Sequence, residues 1–284
     1  MYDTAIIGSG PAGLSAALNL KLHNKNIIWF GSKDLSSKVE KSEKIANYPG
    51  LGMISGAELN RRFAEQMAQM DLSLTDRMVT TVLPMGERFQ LLAENEIYEA
   101  KTLLLATGAV SGRGFPGEAE FLGRGVSYCV TCDGFLYKGK TIAVFCQDPR
   151  YEHEVDYLAG MAEKVYYFMP YTGSEMELPN AEKLPKPIKE VKGDRKVTSI
   201  CLTDGSEIPV DGLFCLRNAV APTALLPGLQ MDGAHIVVDR GMRTNLSGCF
   251  AAGDCTGRPY QIAKAVGEGN AAAHTILDFL HDAV

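Results

Sequence analysis

The segment Cys129-Val130-Thr131-Cys132-Asp133-Gly134 holds the residues of this 284-residue chain best suited to chemistry. Two thiols at this spacing can close a small disulfide ring and open it again. The first can attack a partner's disulfide while the second resolves the mixed disulfide. Asp133 follows directly and could move the proton that such exchange requires. The same spacing is also half of a zinc site. That needs two further ligands, yet the sequence has no second C-x-x-C and no H-x3-H, and His23, His153, His235, His274 and His281 are scattered. Redox chemistry is therefore the preferred reading, and no metal is expected.

A second cluster opens the chain. Gly8-Ser9-Gly10-Pro11-Ala12-Gly13 is a G-x-G-x-x-G that follows an apolar strand and begins an apolar helix. In that context Gly8 permits the tight turn, Gly10 lets the backbone approach a pyrophosphate, and Gly13 allows close helix–strand packing. The helix N-terminus offers N–H groups and a positive dipole end to phosphate. The acid expected about 20 residues further on is replaced by Phe30-Gly31, so ribose recognition falls to Ser32 or Lys33. Two distant segments favour a flavin over a nicotinamide here. One is a buried strand ending in Ala106-Thr107-Gly108; the other is Phe250-Ala251-Ala252-Gly253-Asp254. Asp254 would accept from a ribityl hydroxyl. The helix entered through Gln261-Ile262-Ala263 would aim its N-terminus at the charge of a reduced flavin.

The elements that must position these groups alternate between strands and helices, which predicts an α/β fold. Strands are expected at Thr4–Ile7, Asn26–Phe30 and Thr102–Ala106, and an amphipathic helix at Ala57–Met70. Antiparallel strands are expected at Arg77–Leu83, Phe89–Ala93 and Glu96–Ala100. A second unit repeats the pattern with strand Thr141–Cys146, helix Glu152–Ala162 and strand Lys164–Met169. Then follow a hairpin (Val197–Leu202 and Glu207–Val210) and strand Leu213–Leu216. The first pattern resumes with Ile236–Val238, Cys249–Ala252 and a final helix from Tyr260 to Leu280. The expected architecture is two Rossmann-like three-layer domains. Residues 1–115 and 234–284 form a discontinuous cofactor domain, and 116–233 are inserted into it.

Apolar residues make up 46% of the chain and charged residues 22%, enough apolar material for a buried core. The net charge of −6 argues against a nucleic-acid or anionic-membrane partner. No apolar stretch approaches the ~18–20 residues of a membrane span. Asp3 and the strand beginning at Thr4 speak against a leader peptide, so the expected location is cytoplasmic. Outside the pair, Cys146, Cys201, Cys215, Cys249 and Cys255 lie singly and read as buried small hydrophobes.

The motifs Gly8–Gly13, Asn47-Tyr48-Pro49-Gly50, Ala106-Thr107-Gly108, Gly123-Arg124-Gly125-Val126-Ser127, Cys129–Gly134 and Phe250–Asp254 occur in this order over essentially the whole chain. In this the chain resembles the bacterial low-molecular-weight thioredoxin reductases. The resemblance implies FAD, a homodimer, and a domain rotation between flavin-facing and substrate-facing states. It implies that Cys132 lies nearer the flavin, that Cys129 attacks thioredoxin, and that Asp133 is the acid/base. The expected cofactor-binding set is Gly8, Ser9, Gly10, Pro11, Ala12, Gly13, Phe30, Gly31, Ser32, Lys33, Asn47, Val79, Ala106, Thr107, Gly108, Gly253, Asp254, Gln261, Ile262 and Ala263.

The inserted domain departs from the NADPH-dependent members. Its first strand is followed by Phe145-Cys146-Gln147-Asp148-Pro149-Arg150-Tyr151, which contains no glycine. Asp148 reads as an N-cap with Pro149 at the first helical position, so a carboxylate stands where a phosphate would sit. The next strand leads into Met169-Pro170-Tyr171-Thr172-Gly173, with no basic fork for a 2′-phosphate. NADPH is therefore not expected as donor. These departures resemble the flavin-dependent ferredoxin–thioredoxin reductases, which implies reduced ferredoxin as electron donor and thioredoxin as acceptor. Two alternatives stay open: a disulfide oxidoreductase with a second FAD in the former NADPH space, and a flavin-binding redox sensor without turnover. Lys183, Lys186, Lys189, Lys192, Arg195 and Lys196 form a basic stretch. It is either a solvated connection or a steering surface for an acidic partner.

Overall fold

Alternating apolar runs and glycine turns set the order of elements in this computed structural model. It describes the chain apart from residues 95, 109–113, 119, 129, 218–219 and 283–284, and apart from the side chains of 131 and 132. The first elements are β1 (Tyr2–Ile7), α1 (Pro11–Leu22), β2 (Ile27–Phe30), α2 (Ser37–Glu40), α3 (Gly56–Gln69), β3 (Val79–Pro84), β4 (Phe89–Ala93) and β5 (Glu96–Leu105). Then come β6 (Val126–Ser127), α4 (Val130–Asp133), β7 (Thr141–Cys146), α5 (Glu152–Ala159), β8 (Lys164–Phe168) and β9 (Ala181–Leu184). They are followed by β10 (Ile188–Gly193), β11 (Val197–Leu202), β12 (Glu207–Pro209), β13 (Gly212–Leu216) and α6 (Pro222–Leu225). The last are β14 (Met231–Asp232), β15 (His235–Ile236), β16 (Cys249–Ala251) and α7 (Ile262–Asp282). The chain divides into two compact units, Met1–Ser111 with Leu225–Val284, and Gly112–Ala224. The boundaries expected from sequence, at 115/116 and 233/234, lie four and nine residues further along.

The first unit is built on one sheet in the order β2-β1-β5-β4-β3. β1 runs parallel to β2 and β5 and is buried, as its unbroken Ala5-Ile6-Ile7 run requires. β5 does two jobs along its length. Its first half pairs antiparallel with β4, and Leu103–Leu105 pair parallel with Cys249–Ala251 of β16. Helices α1 and α7 cover the sheet through Leu14, Leu20, Ala272 and Ile276 against Ile6, Trp29, Leu104 and Phe250. The two helices approach closely because Gly269 lacks a side chain; a Cβ there would stand 2.1 Å from Ala12 O. α3 is the expected amphipathic helix, capped by Ser55 Oγ, which accepts from the Glu58 N–H.

The second unit has a parallel sheet in the order β6-β13-β7-β8-β9 and a separate antiparallel sheet β10-β11-β12. Its core joins Ile142, Val144, Val155, Leu158, Val165, Tyr167, Phe214 and Leu216. Several details differ from expectation. β9 and β10 are strands where no strand was expected. The helix expected over Glu152–Ala162 is the eight-residue α5, preceded by a 3-10 turn at Pro149–Tyr151. The strand expected at Ile236–Val238 is only the bridge-length β15. Among the described residues no helix is long and apolar enough to cross a membrane.

Candidate functional site

The cofactor motif of the first unit is assembled by contacts that only glycine allows. Gly8 has φ +119°, and a Cβ on it would lie 2.1 Å from Ala106 O. A Cβ on Gly13 would lie 2.0 Å from Gly8 O, and one on Gly31 2.5 Å from Ser9 Cβ. These glycines therefore pack protein against protein. Gly10 is different: a Cβ there would meet nothing within 4 Å. It is also the N-cap of α1, which has no side-chain cap and no acidic residue in its first turn, with Pro11 starting the helix. An unblocked helix N-terminus beside a glycine facing open space fits a dinucleotide's pyrophosphate.

Other expected residues lie in the same unit, one of them against α1. Gly253, at φ +90°, brings the end of β16 to α1, where a Cβ would stand 2.9 Å from Ala12 Cβ. Asn47 Nδ2 donates to Gln261 Oε1 at 2.7 Å, tying the 47–50 motif to the start of α7. Ile262 packs on the small cluster of Val39, Ile45 and Leu59. Thr107 and Gly108 follow β5 directly, beyond Ala106, whose N–H bonds Ile7 O. Ala263 lies in the first turn of α7, and Val79 is buried at the start of β3. Several side chains have partners within the protein. Ser9 Oγ donates to Leu35 O, Ser32 Oγ accepts from the Asp34 N–H, and Lys33 pairs loosely with Asp76. Phe30 is buried edge-on to Tyr98.

Three residues of this region have no counterpart in the motif reading. Lys38 Nζ lies 2.6 Å from Asp254 Oδ2. It is placed by α2, which Ser36 caps and Asn60 Nδ2 holds through Ser36 O and Glu40. From α7, Glu268 Oε2 accepts from the Gly253 N–H and the Thr256 hydroxyl, and Lys264 Nζ donates to Gly253 O and Gly257 O. The spacing Lys264-x-x-x-Glu268 was visible, but only as a helix-surface pair.

In the second unit Cys129 lies outside the described residues, as does the side chain of Cys132. The frame around them is described. α4 is a single turn that carries Cys132 and Asp133. Asp133 is half-buried, and its Oδ2 accepts from Ser127 Oγ at 2.6 Å. Tyr128 OH donates to Glu118 Oε1 at 2.8 Å. Glu118, 1% exposed, also accepts from the Phe115 N–H and from Arg217 Nη2 at 2.8 Å. The Arg217 guanidinium lies over the rings of Phe115 and Phe145. Burial, and next the Glu118 carboxylate, raise the Tyr128 phenol well above its ordinary value. Directly after the redox motif, Phe135 and Leu136 are 65% and 51% exposed, an apolar pair that the motif reading passed over. The remaining cysteines are buried and free, as expected. Burial pushes the thiols of Cys146 and Cys215 up, that of Cys249 to about 12 and that of Cys255 to about 11.

Nucleotides approach open α/β sheets at the carboxyl ends of the strands. Here the ends of β7 and β8 are filled by the chain's own side chains. Asp148 Oδ1 accepts from the Arg150 N–H at 3.0 Å, and the Arg150 guanidinium clamps the same carboxylate. Tyr171 OH lies 2.6 Å from Tyr167 OH, donates to Glu152 Oε1 at 3.0 Å, and reaches Cys146 Sγ at 3.5 Å. The basic stretch is offset in part. Lys192 of β10 pairs with Glu207 of β12, Lys186 pairs with Asp204 in the turn between β11 and β12, and Lys183 donates to Ser174 O.

Residues 2–145 and 183–269 match the pyridine nucleotide-disulphide oxidoreductase family. The chain belongs to this family. Between the two matched stretches of this oxidoreductase lies the segment with Asp148, Arg150 and Tyr171. Curated relatives include thioredoxin reductases of Helicobacter pylori, 35% identical over 99% of both chains, and of Treponema pallidum, 32% identical over 98% of this chain and 97% of that one. Among solved structures, a ferredoxin-flavin thioredoxin reductase from Clostridium acetobutylicum is 42% identical, with a TM-score of 0.91 over 99% of this chain and 98% of that one. A thioredoxin reductase from Gloeobacter violaceus is 28% identical, with a TM-score of 0.79 over 99% and 94%. The two-domain α/β fold and the thioredoxin reductase resemblance are thus borne out.

Proposed function

We propose that this oxidoreductase reduces thioredoxin with electrons from reduced ferredoxin instead of NADPH. The observation that carries the donor assignment is the filled carboxyl edge of β7 and β8. Asp148 caps the 3-10 turn at Pro149–Tyr151 and holds the Arg150 guanidinium beside it, while Tyr167, Tyr171 and Cys146 occupy the neighbouring space. A pyrophosphate would meet a closed carboxylate–guanidinium pair and three packed side chains. The Clostridium acetobutylicum neighbour, described as a ferredoxin-flavin thioredoxin reductase, supports the same reading.

FAD, when bound, converts single electrons into the pair that a disulfide requires. Gly10 and the α1 N-terminus would hold its pyrophosphate, and Asp254, Asn47 and Gln261 would meet the rest. The Cys129–Cys132 disulfide would accept that electron pair at Cys132; its S–S bond breaks, and two protons from water leave both residues as thiols. Asp133 takes the proton of the Cys129 thiol, the resulting thiolate attacks one sulfur of the thioredoxin disulfide, and the departing sulfur takes that proton back from Asp133. The Cys132 thiol then gives up its proton and attacks Cys129 Sγ; the internal disulfide re-forms, and the second thioredoxin sulfur leaves and takes up that proton, which releases dithiol thioredoxin. Phe135 and Leu136 offer the apolar contact for the incoming protein.

The test is anaerobic. The FAD-loaded protein is mixed with chemically reduced ferredoxin and oxidised thioredoxin, and new thiols are counted. Ferredoxin should drive thioredoxin reduction, and NADPH or NADH at micromolar concentration should leave the flavin absorbance unchanged. Rapid bleaching by either nucleotide would refute the donor assignment.

A further inference from the structure

Ser127 ends the two-residue strand β6, where it pairs with Phe214 of β13. It is 3% exposed, and its hydroxyl donates to Asp133 Oδ2 at 2.6 Å. That length belongs to a charge-assisted O–H···O bond. The bond spans six residues and closes the base of the loop that carries Cys129 and Cys132. α4 is one turn long, and so short a helix cannot fix a side chain by its own stability. The chain on either side is anchored elsewhere. Tyr128 is tied to Glu118, and the buried Gly134 would bring a Cβ within 2.9 Å of Met161 Cε. These ties fix the backbone; the Ser127 hydroxyl reaches the carboxylate itself.

We propose that Ser127 is a positioning residue for thiol–disulfide exchange. It holds Oδ2 of Asp133 and leaves Oδ1 to give a proton to a departing thiolate or take one from an attacking thiol. One proton moves in either direction, and no electron passes through the pair. This rests on the reading of Asp133 as the acid/base. Without the hydroxyl the carboxylate swings about its Cα–Cβ bond, and small misplacements of a reacting group cost up to about a hundredfold.

The test is a double-mutant cycle on the FAD-loaded, fully reduced protein. Ser127→Ala, Asp133→Asn and the double variant are mixed with oxidised thioredoxin, and thiol release is followed in a single turnover. Ser127→Ala should slow release about tenfold with unchanged flavin content and flavin spectrum. In the Asp133→Asn background the same change should alter the rate less than twofold. If Ser127→Ala lowers flavin content, Ser127→Thr, which keeps the hydroxyl, is read in the same cycle and should restore the release rate. Equal slowing in both backgrounds would make Ser127 a packing residue and overturn the proposal, as would an unchanged rate in Ser127→Ala. A wild-type rate in Asp133→Asn would instead remove the acid/base reading beneath it.

Discussion

Gly8 and Gly10 stand two residues apart in the same turn, yet the structure gives alanine opposite consequences at each. At Gly8, with φ +119°, a methyl group would collide with Ala106 O at 2.1 Å. Left-handed backbone costs a side chain about 1–3 kcal/mol, and overpacking adds about as much, so Gly8→Ala should destabilise the apoprotein by about 2–6 kcal/mol. At Gly10 the φ is −73° and the methyl meets no protein atom within 4 Å. The apoprotein should lose only about 1 kcal/mol or less, the ordinary difference between glycine and alanine at an N-cap. If the cofactor's phosphates approach this backbone, however, the methyl intrudes on them. A steric cost of about 1–3 kcal/mol corresponds to roughly a 5- to 150-fold weaker FAD complex. Thermal unfolding of the apoproteins and titration with FAD, followed by flavin fluorescence, separate the two effects. Gly10→Ala should melt near wild type and bind FAD poorly, whereas Gly8→Ala should fail in both. FAD binding by Gly10→Ala within twofold of wild type would refute the placement of the phosphates.

Phe135→Ala with Leu136→Ala should raise KM for thioredoxin several-fold and leave flavin content unchanged, which steady-state assays at varied thioredoxin will show. Glu118→Ala leaves Arg217 buried without its carboxylate, so urea unfolding should report a loss of about 3–5 kcal/mol; a double Glu118→Gln, Arg217→Met variant should recover most of it. Cys249 and Cys255 resist ionisation in the fold, with pKa values of about 12 and about 11. Unfolded thiols ionise near 8.5. Stability from these groups is therefore complete below about pH 8.5 and falls as pH rises toward 11 and 12, where native-state alkylation should first reach them. Labelling of either at pH 8 in the native protein would contradict the burial argument.

Features written in contiguous residues were legible in the sequence. The glycine turn of Gly8–Gly13 and the cap at Asp148-Pro149 are local, so residue type fixed their geometry. The apolar runs of β1 and β5 likewise announced buried strands. Features made by distant pairing were not. Lys38 meets Asp254, and Glu118 meets Arg217, only after the sheets bring them together. Whether the stretch from Lys183 to Lys196 was a solvated connection or a steering surface stayed open because the partners of Lys186 and Lys192, Asp204 in the β11–β12 turn and Glu207 on β12, are set by a register no charge count reveals. β9 escaped notice because its Ala-Glu-Lys-Leu sequence lacks the alternation of a half-buried strand.

The split pairing of β5 also sets an order of events during synthesis. Leu103–Leu105 acquire their second parallel neighbour only when Cys249–Ala251 emerge, and the start of α1 is backed at Ala12 by Gly253 and Gly269, which come later still. At about 5–20 residues per second, the intervening chain of about 150 residues takes roughly 7–30 s to make. The unit from Gly112 to Ala224 lies wholly within that interval and has its own core. It can therefore fold on the nascent chain while the flavin cradle is still open. If the proposed cradle holds FAD, cofactor capture would be one of the last steps of biogenesis, dependent on the closing helix and not on the N-terminal fingerprint alone.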